Sequence, residues 1–274
     1  MISSADIFED RIRRAEFDLV RGEFVATDRV LEIGGGRGFQ AIMISALVDE
    51  CVSVDVREHP QSDFPIVIYD GRTIPFPDAS FDRIFSSNVL EHVEDLDTLL
   101  DECARVLKPD GTMVHILPTH WWRIWTLLSY YPALPMIILA SLRNLRQSKP
   151  PTTHREDDDS ATLSPGSVSG VGLFTKLRRG FRLKWFSTLL LSPRHGDRGN
   201  VFTEIYYFRP AVWKKLFERN GWRIDEARPC HLFYSGNRLF GDRISLKARV
   251  GLSHVLGSST FAFRLAREMV SRTE

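Results

Sequence analysis

Cysteine is scarce in this 274-residue chain: Cys51, Cys103 and Cys230 lie far apart and show no metal-ligand spacing. An odd, sparse set excludes a disulfide framework and suits reduced thiols in a cytoplasmic setting. The sequence therefore names no metal site. The opening residues, MISSADIFEDRIRR, contain acids and no apolar centre, so they do not read as a secretory signal. Internal repeats are absent. Net charge is nearly absent too, at +1, but that balance conceals a division. Residues 171–274 hold 20 Lys+Arg against 8 Asp+Glu, a net of +12, while residues 1–170 hold 16 against 27, a net of −11. Either one part meets something anionic, such as a phosphate-bearing substrate, a membrane surface or nucleic acid, or the two halves attract each other.

What is present is ordinary for a soluble globular protein: 43% hydrophobic and 26% charged residues. An amphipathic helix is predicted over 5–26, followed by alternating short apolar runs and helical patterns. Strands are predicted at 29–33, 51–55, 65–70, 81–87 and 111–118, with helices at 38–48 and 95–107. Such alternation implies parallel βαβ units in an open, doubly wound sheet, which binds ligands beyond the carboxyl ends of its strands. The alternation stops after residue 118. It resumes with a helix at 209–220 closed by Gly221, a strand at 222–228 and a short strand at 231–235. The basic tail 243–272 reads as helical.

The chemistry begins at RVLEIGGGRGFQA, residues 29–41. Gly34, Gly36 and Gly38 form G-x-G-x-G and not the G-x-G-x-x-G of a dinucleotide turn. Glu32 precedes them on the strand. A carboxylate there repels a pyrophosphate and suits a cation, such as an amino group or a sulfonium. Asp55, ending the second strand, can accept both hydroxyls of a ribose. Asp70, ending the third, is placed to receive an adenine amino group. Each acid taken alone could equally cap a turn.

Taken together, LEIGGGRG, SVDV, YDGRTIPFPDASFDRIFSSNVLEHV and VLKPDGTMV resemble the class I S-adenosylmethionine-dependent methyltransferases, in their small-molecule branch. The likeness covers about residues 27–117 and, more loosely, 205–235. Gly35 and Arg37 occupy variable positions, and Asp110 replaces the first glycine of the usual PGG turn. The resemblance implies an α/β fold, a Rossmann-like doubly wound and mostly parallel sheet, with a long lid insertion after the fifth strand. It implies S-adenosyl-L-methionine as cofactor. Glu32 would contact its methionine part, with Gly34, Gly36 and Gly38 beneath, and Asp55 would hold the ribose. Val56 would pack on the adenine, Asp70 and Gly71 would lie at its amino edge, and Asn88 would sit near the transferred methyl.

In-line methyl transfer needs alignment and exclusion of water, and a hydroxyl acceptor gains from a base. His92, His120, His195 and Glu204 are the candidates, on loops over the strand ends. The segment RHGDRGNVFTEIYYFRPAVWKKLFERNGW further resembles the stretch before the penultimate core helix in methyltransferases of bacterial polysaccharide biosynthesis. The domain reading is a cofactor-binding core over 1–117, an insertion over 118–204 with a mobile segment at 148–172, and the remaining sheet with a basic tail over 205–274. Ile124–Leu142 is a run of 19 uncharged residues, near the ~20 that span a bilayer, but Pro132 and Pro135 argue against a clean span. Basic and large apolar residues interleave over 173–191, as in surface-bound amphipathic segments. The insertion is thus a lid, a peripheral contact with an anionic membrane on its inner face, or both, since a lid for a lipid-linked substrate must itself be apolar. The expected partner is a small-molecule or glycan acceptor, free or lipid-linked. An RNA methyltransferase, or a cofactor-binding protein without turnover, are the other readings, although no RNA-binding module is recognisable.

Overall fold

The computed structural model describes residues 4–147, 195–196, 200–235 and 243–268. Seven strands form one sheet: β1 (Arg29–Ile33), β2 (Glu50–Asp55), β3 (Ile66–Ile68), β4 (Phe81–Ser87), β5 (Leu107–Pro118), β6 (Trp222–Pro229) and β7 (Thr260–Arg267). Their order is β3-β2-β1-β4-β5-β7-β6. The first five are parallel, and β7 runs antiparallel between β5 and β6. Strand order reverses between β1 and β4, which is where such a sheet opens a crevice at its carboxyl end.

The central strands are apolar on both faces because helices cover both. On one face α1 (Ser4–Val20) and α2 (Phe39–Ser45) bring Phe17, Val20 and Ile44 against Val30, Phe85, Val114 and Ile116. On the other, α3 (Leu96–Val106) buries Leu96, Leu99, Leu100, Cys103 and Val106, a helical stripe of three- and four-residue steps. Asp95 caps that helix, accepting from the Thr98 backbone N–H at 3.2 Å and its hydroxyl at 2.8 Å. The 28-residue α4 (His120–Gln147) follows β5 directly, and α5 (Thr203–Tyr207) precedes α6 (Pro210–Arg219). In α6, Pro210 starts the helix and Trp213 and Phe217 reach the core, while Gly221 leaves it at φ +75°.

Several expected boundaries move. Helix α1 ends at Val20 and a 3₁₀ turn takes over at Arg21–Glu23. Strand β5 begins at Leu107, so it includes the Lys108–Gly111 segment expected as a turn. The tail is not one helix: α7 (Leu246–Leu256) ends at Gly257, and β7 follows. Its Thr-Phe-Ala-Phe-Arg-Leu run alternates, and Phe263 and Leu265 fall on one face in the core. Residues 231–235 are not a strand; His231 has φ +50°, which turns the backbone out of the sheet. Pro132 and Pro135 lie inside α4. Among the described residues, no helix is long and apolar enough to cross a membrane.

The chain divides into two units, Met1–Ser129 with Arg194–Glu274, and Tyr130–Pro193. The first contains the whole sheet. The second opens with the remainder of α4. The segments expected to be mobile (148–172) and amphipathic (173–191) lie outside the described residues.

Candidate active site

The reversal point is occupied by the turn between β1 and α2. Two backbone amides, those of Gly34 and Gly35, donate to the Val54 carbonyl at 2.8 and 3.1 Å, which fixes the turn on the neighbouring strand. Gly36 has φ +52°, and a Cβ built there meets nothing within 4 Å. That backbone therefore faces open space, where a ligand can approach it closely. Gly35 is required for a different reason: a Cβ there would lie 2.0 Å from the Ser53 hydroxyl oxygen and 3.2 Å from a Glu32 carboxylate oxygen.

Glu32 is 2% exposed and accepts a 2.6 Å hydrogen bond from Ser53 Oγ, its register partner on β2. Burial pushes its carboxyl up to about 7, opposed by the Ser53 bond, with Asp55 adding to the rise. Among the described residues no cation is paired with it. Asp55 Oδ2 accepts from the Gly36 N–H at 2.9 Å, and Oδ1 from the Arg57 N–H at 3.0 Å. Val56 is half exposed and adjoins Gly71, whose Cβ would lie 3.0 Å from Val56 Cγ1. Asp70 lies beyond β3, which stops at Ile68, and its Oδ1 accepts from the Arg72 and Thr73 N–H groups, both at 2.8 Å. Those bonds hold its carboxyl below the ordinary range.

A cavity of about 410 Å³ runs along this turn, walled by Gly34–Arg37, Gln40, His59, Gln61 and Ser87–Val89. Helix α1 closes one side through Glu9, Asp10 and Arg13, and Arg37 reaches Asp10 at 2.6 Å. Asn88 takes φ +55°, its backbone N–H donating to the Ile116 carbonyl at 2.8 Å.

The four base candidates separate. His92 and His195 come together, ring centroids 4.8 Å apart, with Trp122 4.5 Å and Phe208 6.4 Å from His195. Glu204 is wholly buried and already engaged. Its Oε1 accepts from the backbone N–H groups of His195 (2.8 Å) and Gly196 (3.0 Å), and its Oε2 lies 2.7 Å from Arg123 Nε. It holds the segment carrying His195 and has no face toward an acceptor. His120 opens on a separate cavity of about 290 Å³, with Trp121, His231 and His254. Burial, aided by Arg209, lowers its imidazole pKa.

Sequence reasoning passed over Ser53, Asp10 and Glu91. Ser53 is significant only through the β1–β2 register, which no single-strand pattern shows. Glu91 had a signal, standing beside His92 on the 3₁₀ turn Leu90–His92.

Residues 31–115 match the family described as the methyltransferase domain. The chain is 33% identical over 97 residues to malonyl-[acyl-carrier protein] O-methyltransferase of Methylococcus capsulatus, covering 31% of this chain and 35% of that protein. It is 33% identical over 96 residues to a probable S-adenosylmethionine-dependent methyltransferase of Mycobacterium tuberculosis, covering 32% and 35%. The alignments thus span about a third of the length of these curated relatives. An S-adenosylmethionine-dependent methyltransferase from Mesorhizobium loti shares the fold, with a TM-score of 0.50 at 14% identity over 92% of this chain and 98% of that one. The sheet order and the glycine turn define a Rossmann-like fold of the methyltransferase kind. Residues 31–115 thus carry a methyltransferase domain similar to that of the class I S-adenosylmethionine-dependent methyltransferases, and S-adenosyl-L-methionine is the cofactor of that class.

Proposed function

We propose that this chain transfers a methyl group from S-adenosyl-L-methionine to a hydroxyl of a small-molecule or glycan acceptor. The observation that carries the cofactor side is Glu32, a buried carboxylate with no cationic partner among the described residues, beside the open backbone of Gly36. The residues fit the group: Glu32 would face the ammonium of its methionine part, Gly34, Gly36 and Gly38 its chain, and Asp55 its ribose. Val56 and Gly71 would flank the adenine, Asp70 would stand at its edge, and Asn88 would lie near the methyl. When bound, the cofactor supplies an electrophilic methyl on a sulfonium.

The acceptor side is the His92–His195 pair with Trp122 and Phe208. Aromatic faces suit the C–H face of a sugar or another flat apolar ring, and the imidazoles suit its hydroxyl. Glu204 and Arg123 position this wall. A pathway of bacterial surface polysaccharide, with a lipid-linked acceptor, fits such a wall and the basic 173–191 segment.

The test is an acceptor panel with a methyl-labelled cofactor, comparing the natural chain with His195→Ala. Labelled product is expected from a sugar or alcohol acceptor, with turnover reduced at least tenfold by His195→Ala and cofactor binding retained. Labelling of RNA instead, in a salt-dependent manner, would overturn the acceptor assignment. Binding of cofactor with no product from any acceptor would leave the non-catalytic reading in its place.

A further inference from the structure

Glu91 has no exposed side-chain surface, and neither of its carboxylate oxygens receives a hydrogen bond. A buried carboxylate in that state is strongly disfavoured unless a cation balances it. Two imidazoles stand nearby but out of bonding reach: His195 Nε2 is 3.6 Å and His92 Nε2 is 3.9 Å from Glu91 Oε1. One donor atom from each of the three residues can be chosen so that all lie within 4.8 Å of one another.

These separations discriminate between two ways of balancing Glu91. A charged hydrogen bond from an imidazolium closes to about 2.8 Å. Donors sharing one tetrahedral ion, each bonded at about 2.1 Å, stand about 3.4 Å apart. The 3.6 and 3.9 Å separations from Glu91 lie nearer the second case. We propose that Glu91, His92 and His195 bind one divalent transition-metal ion.

The donor set narrows the ion. Two imidazole nitrogens and one carboxylate suit Zn²⁺ or Fe²⁺, whereas Mg²⁺ and Ca²⁺ prefer all-oxygen sites. His92 and His195 are 41% and 35% exposed, so the open positions of the ion face outward from the buried Glu91. The frame is rigid. Glu204 holds the His195 and Gly196 amides, and a Cβ on Gly196 would lie 2.7 Å from the Glu91 carbonyl oxygen.

The role of the ion rests on the hydroxyl-methylation reading above. An acceptor hydroxyl in the open position would be acidified by the ion. Its proton passes to water, its oxygen pair forms the bond to the methyl carbon, and the C–S bond breaks with its pair returning to sulfur.

The test titrates tag-free, EDTA-stripped and dialysed full chain with Zn²⁺ alone, by calorimetry, and with Co²⁺ by visible absorption. We expect one ion per chain at micromolar affinity or tighter, weakened at least tenfold by Glu91→Gln and by His195→Ala. S-adenosylhomocysteine affinity of His195→Ala should stay within about twofold of the natural chain. If Glu91→Gln does not fold, as judged by circular dichroism, His92→Ala takes its place. No saturable Zn²⁺ binding, or affinity unchanged in the variants, overturns the site. Variant-sensitive Zn²⁺ binding in a chain that fails to bind S-adenosylhomocysteine would remove the methyltransferase reading and leave the metal site standing.

Discussion

At the residue scale the site turns on one carboxylate. Glu32 is buried, its carboxyl is pushed up to about 7, and its hydrogen-bond partner is the neutral Ser53 hydroxyl. Near neutrality it is divided between its two forms, and a bound ammonium would select the charged one. Binding of S-adenosylhomocysteine should therefore weaken as pH falls below 7, approaching tenfold per pH unit. Glu32→Gln should bind about 10- to 100-fold more weakly at pH 8, as expected when a charged hydrogen bond is lost, and should lose the pH dependence. Calorimetry between pH 5.5 and 8 reads both, and an unchanged profile in Glu32→Gln would exclude this residue as the titrating group. Glu32 and the glycines were legible in the sequence because their meaning lies in adjacent positions of one segment. Ser53 and Glu91 were not, since each acquires meaning from a residue on another element: Ser53 through the Glu32 register, Glu91 through His195.

At the element scale the five parallel strands were legible because each carries a short apolar run that gives way at its carboxyl edge to glycine, proline or polar residues. The antiparallel pair was half legible. β6 follows a well-marked helix, whereas β7 follows α7 after Gly257-Ser258-Ser259, small residues that carry no strand signal. Residues 231–235 have strand composition, but Cys230 is already bonded to Thr260 and His231 turns away. Short helix α5 illustrates the reverse case, a weak element made firm by a buried pair. Glu204 and Arg123 are 0% and 1% exposed, and burial draws the Arg123 pKa downward. Removing the Glu204 carboxylate takes away the buried counter-charge 2.7 Å from Arg123, at a cost of up to about 3–5 kcal/mol. Glu204→Gln should thus lower the melting temperature on the order of 10 °C and cut turnover by loosening His195. Adding Arg123→Met should recover part of the stability, because the buried guanidinium no longer lacks the Glu204 counter-charge. A Glu204→Gln melt equal to that of the natural chain would show that the pair does not hold this element.

At the scale of the whole molecule, charge is arranged to meet itself. Acids early in the chain pair with basic residues late in it: Asp97 with Arg219 at 2.8 Å, and Glu23 with Arg264 at 3.4 Å and Arg228 at 3.8 Å. The division of charge along the sequence is in this part of the fold an internal complement, and exposed pairs of this kind add little stability each. The pH dependence of folding is instead set by buried groups of opposite sign, Glu32 on one side and His115 on the other, with His120 lowered in the same sense as His115. His115, buried in β5 with Nδ1 2.7 Å from Ser86 Oγ, is pushed down to about 3 from 6.5. Between those values the unfolded chain holds a proton that the native one lacks, so stability falls as pH falls. Glu32 is raised from 4.5 to about 7, so over that interval the native chain holds the extra proton and stability falls as pH rises. From about pH 4.5 to 6.5 the Glu32 and His115 slopes oppose each other, with His120 adding to the His115 side below 6.5, so urea midpoints of the natural chain should change less than in either single variant. Glu32→Gln removes one slope and should show stability rising with pH by about 1.4 kcal/mol per unit across that window. His115→Gln should show the opposite trend. The carboxylates held low by hydrogen bonds, Asp82 and Glu102 among them, lose their contributions as pH falls below the same window, so they do not blur it. A Glu32→Gln profile as level as that of the natural chain would mean that the two groups do not balance each other, and that Glu32 is ionised in the free protein.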